Sequence, residues 1–129
     1  MTIRARKFIQ LAGRWAANSS DEFPIGAVLV RGRNLVSTGW NQGCKTHPTQ
    51  FRMYPQRPGT GLHAEVHALR ALRPYDVAGT DLYVCRLKPT GSYGLAMPCS
   101  KCMGVLKDYS VRRVFFSHEK DDIGLYLIR

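Results

Sequence analysis

Apolar positions along this chain recur with two different periods, and the changes between them mark out the elements. Phe8, Leu11, Ala12 and Trp15 fall on one helical face while Arg4, Lys7 and Arg14 fall outside it, so residues 3–17 are predicted to form an amphipathic helix. Asn18-Ser19-Ser20-Asp21 ends it. Residues 24–31 are a short apolar, β-prone run closed by Gly32, and residues 34–41 follow almost at once, which together read as a hairpin. Residues 42–61 show no periodicity, hold three of the seven prolines and also carry Gly43, Gly59 and Gly61, so they read as a loop. A second helix is predicted from about Leu62 to Arg73, ended by Pro74, and a third strand over residues 81–87. A loop over residues 88–97 leads to a third helix ending near Tyr109, and residues 111–117 form a fourth strand. The order αββαβαβ implies a layered α/β sheet with helices on its faces. Only residues 119–124 separate the fourth strand from the apolar tail at Leu125. A parallel crossover needs about ten residues or more, so a tail strand must pair antiparallel with the fourth.

At 129 residues the chain fits a single domain over residues 1–129, long enough to bury about two thirds of its unfolded surface. No internal repeat or linker divides it. Nineteen Lys+Arg against nine Asp+Glu give a formal charge of +10, which favours a phosphorylated or polyanionic partner over a neutral metabolite. The first apolar stretch is broken too early for a signal peptide, and no run is long enough to span a membrane. Four cysteines without a secretory segment suit a reducing, cytoplasmic compartment, where a close Cys pair more often binds metal than forms a disulfide.

The candidate chemistry lies in His63-Ala64-Glu65-Val66-His67 and Pro98-Cys99-Ser100-Lys101-Cys102. His63, Cys99 and Cys102 supply three zinc ligands, one fewer than a closed tetrahedral site uses, and leave the fourth position for water. Both segments open predicted helices, whose N-terminal peptide dipoles favour anionic ligands. Glu65 stands two residues after the histidine, placed to carry a proton without binding metal. Hydroxide would add at an amino-bearing ring carbon, Glu65 would hand the water's proton to a ring nitrogen and then protonate the departing amine with the proton of the added hydroxyl, and ammonia would leave. The competing arrangement is a closed structural zinc held by His63, His67, Cys99 and Cys102. Glu65 has no role in that arrangement, and His67 reads better as a core residue one turn behind the ligand.

The H-x-E and P-C-x-x-C segments resemble the cytidine and deoxycytidylate deaminase superfamily, and the likeness runs over nearly the whole chain. It implies a three-layer fold, with a mixed central sheet of about five strands, helices on both faces and an antiparallel last strand. It also implies Zn2+ as cofactor, His63, Cys99 and Cys102 as ligands and Glu65 as proton shuttle. Asn41 becomes a substrate contact, and the backbone around Ala64 and Pro98 holds the exocyclic amine and the carbonyl. Residues 24–30 and Gly39-Trp40-Asn41 resemble the first strands of tRNA adenosine deaminases. The histidine segment is also similar to the pyrimidine deaminase of riboflavin synthesis, and the long loop before it to deoxycytidylate deaminases. Relatives associate through sheet and helix faces, so a homo-oligomer, dimer or tetramer, is implied.

In that loop Lys45, His47, Arg52 and Arg57 are interleaved with Phe51 and Tyr54. Cations suit phosphate and rings suit a stacked base, which makes His47 and Tyr54 candidate substrate contacts. Cys44 and His47 are too few for a second zinc. Cys85 reads as a buried thiol, while Ser92, Tyr93 and Met97 are candidates to roof the pocket. The expected activity is hydrolytic deamination of cytosine to uracil in a free cytidine or deoxycytidine nucleotide. The rivals are a deaminase of cytosine or adenine in single-stranded DNA or RNA, and a non-enzymatic nucleic-acid-binding module with structural zinc.

Overall fold

The structure is a computed structural model that describes residues 2–20, 23–42 and 63–128. Its first helix, α1 (Ile3–Ala16), starts at Thr2, whose hydroxyl accepts the Ala5 N–H at 3.1 Å. That is ordinary N-capping of an orphan backbone donor. The hairpin follows as β1 (Ile25–Arg31) and β2 (Asn34–Trp40), turning at Gly32 with φ 63°. Beyond the undescribed residues come two short helices, α2 (Ala64–Ala68) and α3 (Pro74–Val77), then β3 (Asp81–Leu87) and a two-residue β4 (Tyr93–Gly94). The chain finishes with α4 (Ser100–Asp108), β5 (Arg113–Ser117), a 3-10 turn and β6 (Ile123–Leu127).

The strands form one mixed sheet in the order β2-β1-β3-β5-β6, with β4 paired to β3. Among the described strands only β3 and β5 pair in parallel, and β6 pairs antiparallel with β5, as the short connection required. Successive residues of β1 face opposite layers. Ala27 and Leu29 join Leu82, Val84, Val114 and Phe116 under α2 and α4, while Val28 and Val30 join Tyr83, Cys85 and Phe115 under α1. The expected three-layer α/β arrangement is therefore present.

The seam between α1 and the sheet is made by small residues. A Cβ at Gly26 would lie 2.0 Å from the Ala12 carbonyl oxygen, so the helix backbone rests directly on the strand. Leu11 and Trp15, expected on the buried stripe, are only partly covered at its side. There Trp15 stacks on Trp40 with ring centroids 5.5 Å apart, and Ala5, Ile9 and Ala16 take the centre instead.

The second helix departs from expectation. It ends at Ala68, the chain turns through Ala71 at φ 60°, and Pro74 opens α3 instead of ending a long helix. Proline is favoured at a first helical position because the N–H it lacks would be unpaired there anyway. The Arg70 guanidinium bonds the carbonyls of Thr38 and His67 at 2.6 and 2.9 Å, a tertiary attachment that local helix propensity does not override.

Ser117, fully buried, ties the site side of the sheet together. Its hydroxyl donates to the Gly94 carbonyl at 2.7 Å and accepts from the Arg86 N–H at 3.0 Å, while its carbonyl accepts from Ala96 N at 3.0 Å. At the opposite end of β3, buried Asp81 accepts from both Arg112 and Arg113, with contacts down to 2.7 Å. Burial pushes the Asp81 carboxyl up, but the two guanidinium groups outweigh it and hold the group below its usual value of 3.8. A lowered folded-state pKa adds stability above the unfolded value, and that stability is lost as pH falls through the folded one. Asp81→Asn should lower stability at pH 7 by about 1–2 kcal/mol, since both arginines are partly solvated, and should remove part of the decline below about pH 4. Urea midpoints at pH 7 and pH 3 check both statements. Among the described residues no helix is long and apolar enough to cross a membrane.

Candidate functional site

The two motif segments meet because each enters its helix from the same side of the sheet. His63 is the extended N-cap of α2, with φ −78° and ψ 145°, and Cys99 is the N-cap of α4, with φ −68° and ψ 166°. Five residues make too short a helix to stand alone, and α2 is held by β2. A Cβ at Gly39 would lie 2.5 Å from Ala68 N and 2.7 Å from the Ala64 oxygen, and the Ser37 hydroxyl donates to the Ala68 carbonyl at 2.5 Å.

His63, Cys99 and Cys102 bring one ligand atom each to within 4.8 Å of one another, and His63 Nδ1 stands 3.2 Å from Cys102 Sγ. Zinc bonds of about 2.0–2.3 Å in a tetrahedron separate ligand atoms by roughly 3.5 Å, so this cluster fits the ion with little movement. Cys102 is fully buried, whereas Cys99 is exposed toward the opening.

A cavity of about 360 Å³ opens beside the cluster, with His63, Ala64, Glu65 and Cys99 on one wall and Asn41 on another. Glu65 is 6% exposed. Burial raises its carboxyl to about 7, against which its own backbone N–H at the open start of α2 acts in the other direction. A carboxyl poised there can both accept and return a proton near neutral pH.

His67 faces away from the cluster. Its Nδ1 accepts the Trp40 N–H at 3.1 Å, its Nε2 lies 3.4 Å from the Gln42 amide, and its ring meets that of Trp40 edge-on at 4.6 Å. His67→Ala should therefore keep the site's zinc while costing about 1–3 kcal/mol through the unpaired Trp40 N–H and lost packing. Metal analysis beside a thermal melt separates the two effects.

Asn41 reaches the cavity but is also a brace. Its Oδ1 accepts from Ile25 N at 2.9 Å and its Nδ2 donates to the Phe23 carbonyl at 2.8 Å. One further donor and one acceptor site remain on the amide. Pro98 is buried and does not line the cavity. His47 and Tyr54, with Cys44, lie outside the described residues.

Of the proposed roof, Met97 lines the cavity, while Tyr93 packs on the α1 side against Cys85. Cys85 is buried, and desolvation pushes its thiol up to about 12. His118 accepts the Glu119 N–H, Glu119 pairs with Lys88, and neither lines the cavity. Phe23, Ile25, Leu95 and Ala96 complete the wall. Of these only Ile25 lies in a segment singled out by resemblance, and the fold brings the four together.

A family model, the cytidine and deoxycytidylate deaminase zinc-binding region, matches residues 3–118. The chain belongs to this deaminase family. A tRNA-specific adenosine deaminase of Buchnera aphidicola is 30% identical over 115 residues, covering 89% of this chain, which spans 65% of that relative's length. A deoxycytidylate deaminase of Mycobacterium phage D29 is 29% identical over 123 residues, covering 81% of this chain and 87% of that one. Among solved structures, cytidine deaminase from Burkholderia pseudomallei superposes with a TM-score of 0.64 at 19% identity, over 99% of this chain and 94% of that one. That likeness establishes the deaminase fold, and the His/Cys/Cys group of this deaminase domain is consistent with a zinc-binding region.

Proposed function

We propose that this deaminase hydrolyses the exocyclic amine of a cytosine ring, converting it to uracil in a free cytidine or deoxycytidine nucleotide. The observation that carries the reading is the pairing of an incomplete zinc ligand set, His63, Cys99 and Cys102, with a buried carboxyl, Glu65, in the wall of one cavity. Zinc, when bound by these three residues, supplies the Lewis acidity that makes water nucleophilic near neutral pH. Glu65 would accept a proton from the attacking water and deliver it to the ring nitrogen, then take the proton of the newly added hydroxyl and pass it to the amine, so that ammonia leaves as the carbonyl forms. Ala64 offers backbone at the cavity wall to orient the ring, and Asn41 offers its remaining amide sites to the sugar. Burial of Glu65 keeps bulk water from competing for that proton. The similarity to the phage D29 deoxycytidylate deaminase, which covers most of both chains, favours a nucleotide substrate.

A second reading, deamination of a base in single-stranded DNA or RNA, is favoured by the formal charge of +10 and by the similarity to a tRNA-specific adenosine deaminase. The orientation of His67 toward Trp40 and Gln42 counts against the structural-zinc alternative. A panel of nucleosides, nucleotides and short single-stranded DNA and RNA, read by mass change, tests the choice. Turnover of deoxycytidine or cytidine monophosphate that is insensitive to salt supports the first reading. Activity confined to polymer, with binding that falls steeply as salt rises, overturns it in favour of the second.

A further inference from the structure

Arg86 stands where β1, β3 and β4 meet, paired across the sheet with Ile25 on one side and Gly94 on the other. The two backbone strips that flank it run straight into the cavity wall, one through Phe23 and Ile25 and the other through Leu95, Ala96 and Met97. Its guanidinium carbon lies 4.6 Å over the Phe23 ring. On the far side the absent side chain of Gly94 makes room for it, since a Cβ there would stand 3.1 Å from Arg86 Cδ and 3.2 Å from Nε.

This placement leaves a donor unanswered. Arg86 Nε is buried and has no hydrogen-bond partner, which is rare for a buried polar atom. The contrast within the sheet is direct, because Arg112 and Arg113 share the buried carboxylate of Asp81 and Arg31 bonds two carbonyls. Among the described residues no carboxylate is in ion-pair contact with Arg86; Glu119, which feels the Arg86 charge, is bonded by Lys88 instead. An arginine that served only to join the two strips would be expected to have such a partner. A planar guanidinium whose Nε–H is unpaired matches a phosphate.

We propose that Arg86 is the specificity-determining anion anchor of this site, binding the phosphate of the substrate whose base enters the cavity beside Glu65. The inference rests on the nucleotide reading above, and the shared chemistry is a phosphate on either a free nucleotide or a polymer. The test compares the zinc-loaded protein with Arg86→Met, which keeps the stem, and Arg86→Lys, which keeps the charge. Deoxycytidine, its 5′-monophosphate and a short single-stranded DNA serve as substrates. Arg86→Met should lower the kcat/KM of whichever phosphorylated substrate is used, relative to deoxycytidine, at least tenfold and chiefly through KM, with Arg86→Lys in between. A ratio unchanged within twofold overturns the proposal. If the wild type deaminates no cytosine substrate, the nucleotide reading fails by itself. The anchor is then read by titrating inorganic phosphate against the Arg86 Nε–H resonance. A saturable shift supports it, and no shift overturns it.

Discussion

Glu65→Gln should reduce ammonia release by about a hundredfold to ten-thousandfold while each chain retains its zinc. The glutamine keeps the size of the buried side chain and removes its capacity to take and return a proton. Glu65 is separated from the ligand set by its place in the first turn of α2, after the His63 cap, so the metal keeps its three protein ligands. Zinc content and ammonia release measured on the same preparation decide the matter. Full zinc with lost turnover assigns the proton shuttle, lost zinc assigns a structural role in the metal centre, and undiminished turnover removes Glu65 from the chemistry.

Gly39→Ala should be the most damaging single methyl in the molecule's described half of the site. The new Cβ would meet backbone atoms of Ala64 and Ala68, which cannot rotate aside as a side chain could. Either β2 or α2 must shift, at about 3 kcal/mol or more, toward the upper end of what overpacking costs. Because His63 caps that helix, zinc affinity should fall with stability. Gly104→Ala is the matched control. Gly104 lies in α4 with open space around it, so the same added methyl should stabilise the helix by about 0.5–1 kcal/mol. Denaturant midpoints and zinc titration of the two variants should move in opposite and unequal ways.

These two residues also show what was readable beforehand. Glu65 and the three candidate ligands stand in short motifs whose chemistry is carried by residue type and spacing, so they could be proposed before any fold was known, and the fold brings the His/Cys/Cys group together. The antiparallel tail was likewise legible, because so short a connection permits no crossover. The end of α2 was not. Leu69 to Arg73 have good helical propensity, but the chain turns at Ala71 where Arg70 reaches the Thr38 carbonyl on β2, a tertiary contact with no local pattern. The two-residue β4 has no pattern of its own and exists through its pairing with Arg86 and Leu87. Arg86 looked like one more strand residue, since nothing in a linear chain tells an arginine with a carboxylate partner from one without.

The brevity of α2 has a thermodynamic consequence. A one-turn segment cannot persist in the absence of its strand, so the histidine and the acid adopt their working positions only when the whole sheet assembles. The centre then has no independent melting step. A spectroscopic reporter at the metal and far-ultraviolet dichroism of the sheet should trace a single superimposable unfolding curve, and any substitution that weakens the hairpin should loosen the grip on zinc in the same proportion.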